Sequence, residues 1–180
     1  MLIAFYRGGH AKDDWAARLG YALIELGQIS ELYGDLTHCE AILAGDWQAA
    51  QIASASVRDG NQVRIKTTGM NPAHWLVLDV PAADVVRVHA WFLRHLGVRY
   101  SMVGATASAL WLARLLLKAV GKRPADLGQW CSRAVAEAIG LVGAEDMNVA
   151  ELAATLMSLP GTRDVTDRFF QQRQQGAPHA

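Results

Sequence analysis

The chain has 180 residues, of which 17 are basic, 17 are acidic and two are cysteines. This length suits one domain with a full core, and the balanced charge, with no basic stripe and no charge block, argues against nucleic-acid binding and against a charged membrane-surface patch. Two cysteines are too few for a disulfide framework, and the first hydrophobic run is too short for a signal peptide, so we expect a cytoplasmic protein.

The first half of the chain predicts a strand, a helix and then a group of further strands. The opening hydrophobic run is typical of a strand, and residues 13–27 have the spacing of an amphipathic helix. Strands are predicted over residues 37–43, 52–58, 62–68 and 74–80. Asp59, Gly60 and Asn61 predict the turn of a hairpin between the second and third of these strands.

The second half of the chain is predicted to be helical. Helices are expected over residues 82–96, ended by Gly97, then over 101–121, 129–141 and 149–159. The polar segment after Gly161 is expected to fray. The sequence therefore predicts an α+β fold in which a small antiparallel sheet packs against helices, with one domain at residues 1–160 and a polar tail at residues 161–180.

The apolar segment at residues 101–121 is about long enough to cross a bilayer. Arg114 and Lys118 interrupt its most apolar half, so we predict a buried or lid-like helix and no transmembrane segment. Contact between this helix and lipid stays open as the less favoured alternative.

Cys131 lies near the start of the predicted helix at residues 129–141. Unpaired backbone N–H groups and the positive end of the helix favour a thiolate at this position. The same N–H groups can hold an oxyanion on a bound carbonyl, and Gln129 can add a side-chain donor. On its own, however, a cysteine on a helix is more often a small core residue.

The strand predicted at residues 37–43 offers a base for this thiol. Alternation puts His38 and Glu40 on one face and Cys39 on the other, where Cys39 is expected to be a structural residue in the apolar layer. A thiol, an imidazole and a third polar group make the Cys–His arrangement of nucleophilic catalysis, which residues distant in sequence can form. The other histidines lack metal-ligand spacing, so no metal and no cofactor are predicted.

The chain carries, in this order, the blocks THCEAIL, SASVRDGNQVRIK, HWLVLDVP, HLGVRYSMVG and QWCSRAVAEAIGL. This series resembles the permuted papain-like amidases, which are circularly permuted relatives of the NlpC-type cell-wall cysteine peptidases. In that family the histidine strand precedes the cysteine helix, as it does here. The resemblance spans roughly residues 1–159 and implies a permuted papain-like fold, with Cys131 as the nucleophile and His38 as its general base.

The resemblance leaves the third catalytic group open. Glu40 is preferred because it is anionic, although Ser54 or Ser56 on the neighbouring strand would also be placed to orient the imidazole. Tyr100 matches the aromatic residue of the family's Gly-x-x-Tyr turn. Trp130, beside the cysteine, either walls a substrate pocket or packs in the core.

The function that the resemblance implies is hydrolysis of an amide or ester carbonyl in a cell-wall peptide or an acylated small molecule. An acyl transferase would use the same residues. Arg133 and Ser101 stand where the family often has acidic residues, which leaves a non-catalytic binding module with the same fold as the alternative. A protein encoded by a prophage, or released by lysis, would reach a cell wall without an export signal.

Overall fold

Six strands form one antiparallel sheet in the computed structural model, which describes residues 1–8, 33–57, 59–143 and 146–171. The strands are β1 (Leu2–Arg7), β2 (Leu36–Ala44), β3 (Ala50–Ser56), β4 (Gln62–Thr68), β5 (Trp75–Asp79) and β6 (Arg163–Asp164). They are arranged in the order β4-β3-β2-β1-β5-β6. β2, which contains His38, therefore lies inside the sheet between β1 and β3.

The described residues also form six α-helices, so the α+β class predicted from the sequence is confirmed. The helices are α1 (Val85–His95), α2 (Met102–Ala109), α3 (Trp111–Ala119), α4 (Cys131–Ile139), α5 (Val149–Ser158) and α6 (Thr166–Gln171). The helix predicted at residues 13–27 lies outside the described residues.

Apolar side chains are buried on both faces of the sheet, because neighbouring residues of a strand point to opposite faces. Phe5 and Cys39 are paired across β1 and β2, and both belong to the larger core cluster, which also contains residues of α1, α4 and α5. The smaller cluster contains Ala4, Ile42 and Val77 together with Phe169 of α6. Helix α4, which begins at Cys131, thus packs on the same face of the sheet as Cys39.

The predicted hairpin joins β3 to β4. Its turn contains Gly60 at φ 83° and Asn61 at φ 56°, and this left-handed conformation favours glycine and asparagine over other residues. The hairpin pairs Ser54 with Arg64, and it therefore brings the charged side chains of β4 alongside the strands that carry the predicted site.

The apolar segment at residues 101–121 does not form the single buried or lid-like helix that the sequence predicts, because it is divided into α2 and α3. Leu110 has extended backbone between α2 and α3, and the two helices are bent by 107°. Leu112, Leu115 and Leu116 are each more than half exposed. Among the described residues, no single helix has both the length and the apolar composition needed to cross a membrane, and only this bent pair taken together reaches that threshold.

Helix α1 buries Val88 and Phe92, whereas Val85 at its start and Leu96 directly after it are exposed. Asp126 lies in the 3-10 turn that precedes α4, and its carboxylate accepts from the backbone N–H of Arg123. The segment after Gly161 was expected to fray, but it forms regular structure up to Gln171. β6 pairs with β5, and α6 follows β6.

Candidate active site

Helix α4 places Cys131 at its first residue, against the sheet. Trp130 precedes it with extended backbone, at φ −141° and ψ 175°, and supplies no side-chain cap. The N–H groups of the first turn therefore have no capping side chain as a partner. Cys131 is 2 % exposed, and the helix is anchored by the buried side chains of Ala134 and Val135. The thiol is thus held rigidly at the positive end of a helix.

His38 and Glu40 meet directly on β2. The Nε2 atom of His38 lies 2.9 Å from Oε1 of Glu40, although the two residues are two positions apart along the strand. Glu40 is in turn held by Arg64 of β4, which donates from Nη1 to Oε2 and from Nη2 to Oε1, each at 2.8 Å. The side chains of Glu40 and Arg64 are only 3 % and 8 % exposed. The imidazole is therefore oriented by a buried carboxylate that is itself fixed in a bidentate ion pair.

This charge network continues to the surface. The Nε atom of Arg64 donates to Oδ2 of Asp59 at 2.6 Å, and Lys66 donates to the same oxygen at 2.8 Å. Arg64 and Lys66 lie two residues apart on β4 and so share one face of the sheet. Asp59 belongs to the hairpin turn, so the turn supplies a second carboxylate that holds Arg64 in place beside Glu40.

Charge and hydrogen bonding between the His38 ring and the Cys131 thiol shift the pKa values of both groups, so the two side chains are neighbours. Since Glu40 occupies Nε2, the remaining ring nitrogen, Nδ1, is the one available to the thiol. The register of β1 and β2 shifts between Tyr6 and Arg7, and Thr37 is the residue left unpaired opposite them. Irregularities of this kind redirect side chains, and this one directly precedes His38.

The thiol and the imidazole have strongly altered proton affinities. The hydrogen bond from Cys39 lowers the pKa of Cys131 well below its usual value. Burial alone would raise this pKa, but the positive charge of His38 lowers it further. Burial by itself would lower the pKa of His38. The negative charges of Cys131 and Glu40 outweigh it and raise that pKa from 6.5 to about 9. The favoured state at neutral pH is therefore a thiolate beside an imidazolium.

Glu40 stays ionised beside this pair. Burial would raise the pKa of its carboxyl group, but the hydrogen bonds from Arg64, together with the charge and hydrogen bond of His38, lower that pKa from 4.5 to about 2. Glu40 therefore remains an acceptor throughout the pH range in which the thiolate and the imidazolium coexist.

Cys39 takes a part that the sequence does not predict. It is fully buried in the larger core cluster, as expected of a structural residue. It nevertheless also lies beside Cys131, and hydrogen bonding from its side chain and its backbone lowers the pKa of the Cys131 thiol. Burial raises the pKa of the Cys39 thiol well above its usual value, so this thiol stays protonated and donates its hydrogen bond to the Cys131 thiolate.

The two serine candidates lie on β3. Ser54 donates from Oγ to the backbone carbonyl of Cys39 at 2.7 Å and thus supports the strand next to the thiol. Ser56 is buried two residues further along β3. Glu40, and not Ser54, is the residue bonded to Nε2 of His38. It is also the residue preferred from the sequence.

Gln129, the predicted side-chain donor for the oxyanion, is engaged on α4. Its Nε2 atom donates to Oε2 of Glu137 at 3.0 Å, and its Oε1 atom is buried without a hydrogen-bond partner among the described residues. Arg133 holds the same Glu137 carboxylate, from Nε to Oε1 at 2.6 Å. Arg133 therefore has a structural role on α4. The backbone N–H groups of the first turn of α4 have no side-chain cap and are available as donors.

Trp130 packs in the core and does not wall an open pocket. It is 1 % exposed, its indole N–H donates to the backbone carbonyl of Met147, and its ring lies so close to Gly104 that a Cβ there would be 2.7 Å from a ring carbon. Tyr100 packs against the larger core cluster, and its backbone forms a parallel bridge with Gln129. Both aromatic residues thus help to position the start of α4.

No group of three or more His, Cys, Asp or Glu side chains that could hold a metal ion occurs in the part of the chain that the structure describes. Comparisons of the chain with models of protein families, with curated proteins and with solved structures find no match. The interpretation of this site therefore depends on its geometry.

Proposed function

We propose that the protein is a cysteine hydrolase, an amidase or peptidase, with a permuted papain-like fold. The observation that carries the proposal is the hydrogen-bonded series of Cys131, His38 and Glu40, in which the thiol lies at a helix N-terminus. An activated thiol beside an imidazole that a third group orients is the arrangement required for acyl transfer through a covalent intermediate.

In the proposed reaction, the Cys131 thiolate attacks the carbonyl carbon of an amide or ester. The oxyanion that forms is stabilised by the backbone N–H groups of the first turn of α4. His38 then donates its proton to the leaving amine or alcohol, and the carbon–leaving-group bond breaks to give a thioester on Cys131. Finally, neutral His38 takes a proton from water, whose oxygen attacks the thioester and releases the acid.

The order of the elements supports the permuted fold. The strand with His38 precedes the helix with Cys131, and that helix packs against an antiparallel sheet. The resemblance implies two classes of substrate, cell-wall peptides and acylated small molecules. Both classes carry the carbonyl group that this chemistry needs.

Alkylation of the folded protein with iodoacetamide tests the activated thiol without a known substrate. The label is located by mass spectrometry between about pH 5 and pH 9. We expect rapid labelling of Cys131 that persists well below the usual thiol pKa. Cys39 provides an internal control, because its thiol is buried and protonated. The reaction should slow strongly in His38→Ala and remain unchanged in His89→Ala, which alters a histidine of α1.

Turnover is tested with a panel of amide and ester substrates that release a chromophore. We expect product formation and a trapped acyl group on Cys131, both lost in Cys131→Ser. Product from an added amine acceptor would indicate acyl transfer by the same residues. If Cys131 is labelled no faster than an ordinary thiol and His38→Ala has no effect, the proposal is wrong and the binding module is preferred.

A further inference from the structure

Helix α3 presents its apolar face to solvent, which is the reverse of the usual arrangement at a protein surface. Its leucines Leu112, Leu115 and Leu116 lie three and four residues apart, which places them on one face of a helix, and each is more than half exposed. Val120, directly after the helix, is also exposed. Surface helices normally bury such a face.

The opposite face of α3 is fixed to the protein by an arginine. Arg114 donates from Nη1 and Nη2 to the two carboxylate oxygens of Glu151, at 2.6 and 2.7 Å, and also to the backbone carbonyl of Asp146. Glu151 is itself held by the capping box at the start of α5. The bidentate ion pair therefore turns α3 so that its charged residue faces inward and its leucines face outward.

Positive charge accompanies these exposed leucines. No acidic residue occurs between Asp84 and Asp126, although the whole chain is neutral. Seven basic residues occupy the same span: Arg87, Arg94, Arg99, Arg114, Lys118, Lys122 and Arg123. Lys118, Lys122 and Arg123 are exposed at the end of α3. Most of the large exposed apolar side chains among the described residues also fall in this span, and only Val57 and Val142 lie outside it.

We propose that the outward face of α3 docks on an anionic lipid surface. Its leucines would enter the boundary between head groups and acyl chains, and the lysines at its end would contact the negatively charged head groups. A lipid surface is favoured over a second copy of the chain, because a symmetric dimer would pair this face with itself, and the span between Asp84 and Asp126 offers basic residues but no acidic residue to meet them. This inference does not depend on the proposed hydrolase activity.

Flotation of the full chain with lipid vesicles tests the proposal. One set of vesicles contains phosphatidylcholine alone, and the other contains phosphatidylcholine and phosphatidylglycerol in equal parts. We expect binding to the anionic vesicles only, and the binding should weaken as salt is added. Lys122→Glu should reduce the binding at least about fivefold, which corresponds to the attraction of one basic residue near a charged surface. Arg168→Glu makes the same charge change on α6 and should leave binding unchanged.

The apolar contribution is tested with Leu115→Glu combined with Leu116→Glu. Binding should fall about tenfold or more, because two buried leucines are lost from the contact. Val142→Glu is the matched control, since Val142 is 98 % exposed and is not part of α3. Circular dichroism of every variant checks that the fold is retained.

Three results would overturn the proposal. The first is the absence of binding to anionic vesicles, or binding that the leucine variants leave unchanged. The second is a dimer in sedimentation equilibrium that these variants dissociate, because it would show that a second copy covers the face. The third is a lower melting temperature in the leucine variants than in Val142→Glu, since that would mean that residues outside the described part of the chain already cover these leucines.

Discussion

Replacement of Arg64 by methionine tests whether the buried network holds the candidate site together. Methionine keeps much of the volume of the arginine side chain but removes both hydrogen bonds to Glu40. The carboxylate of Glu40 would then be left with His38 as its only remaining partner in this network. We therefore expect a large loss of stability from this substitution at a buried position.

The structure gives the magnitude of this loss. Removal of one partner from a buried ion pair costs about 3–5 kcal/mol. The lowering of the Glu40 pKa from 4.5 to about 2 corresponds to about 3 kcal/mol of favourable interaction with the ionised form. We expect the free energy of unfolding of Arg64→Met to fall by roughly 3 kcal/mol. Glu40→Gln should cost less, because Arg64 keeps Asp59 as a partner.

Urea unfolding followed by circular dichroism measures these free energies for the wild type, both single variants and the double variant. The double variant should lose less stability than the two single losses combined, by about 1 kcal/mol or more, because the two residues interact directly. Strictly additive losses, or a cost of less than about 1 kcal/mol for Arg64→Met, would refute the reasoning.

The pH dependence gives a second check on the same pair. Folding lowers the pKa of Glu40, so its contribution to stability is present above pH 4.5 and is lost as the pH falls to about 2. The difference in stability between the wild type and Arg64→Met should therefore shrink over that interval. A difference that stays constant would mean that Arg64 acts only through packing.

Three further predictions concern the thiols, the imidazole and the helix packing. Cys39→Ala should raise the pKa of Cys131, measured from the pH dependence of alkylation, because the strongest hydrogen bond that stabilises its thiolate is removed; an unchanged pKa would contradict this. The His38 ring should titrate near pH 9 in NMR spectra, and its pKa should fall in Cys131→Ala, which removes the largest charge that raises it. Gly104→Ala should lower the free energy of unfolding by about 1–3 kcal/mol, because the new methyl group would overlap the Trp130 ring; a variant as stable as the wild type would show that the ring can move.

Local patterns were sufficient to predict most of the fold. Alternation and turn residues placed β2 and the hairpin correctly, and helical spacing placed α4 and α5 within a few residues. The orientation of α3 was not predicted, because periodicity shows that a helix has an apolar face but not which way that face points. The contact that decides it, between Arg114 and Glu151, joins residues distant in sequence. The net charge of zero also gave no sign that the span between Asp84 and Asp126 lacks acidic residues.

The residues of the candidate site were predicted better than their contacts. Simple alternation predicts that His38 and Glu40 share a strand face, but it does not predict that their side chains close the gap of two strand positions to 2.9 Å. Arg64 was missed because an alternating charged residue on a hairpin strand usually faces solvent. Cys39 was assigned to the core alone, since strict alternation takes no account of the irregular pairing beside His38.

The network around the site is also electrically neutral as a unit. Charges of opposite sign follow one another from the thiol to the surface: Cys131, His38, Glu40, Arg64, Asp59 and Lys66. Because these charges cancel, their combined field falls off steeply with distance, and an approaching molecule would experience little long-range attraction or repulsion from them. Added salt would reach only the outer members, Asp59 and Lys66, and leave the inner ones unscreened. The site would therefore keep its internal electrostatics constant across media of very different ionic strength.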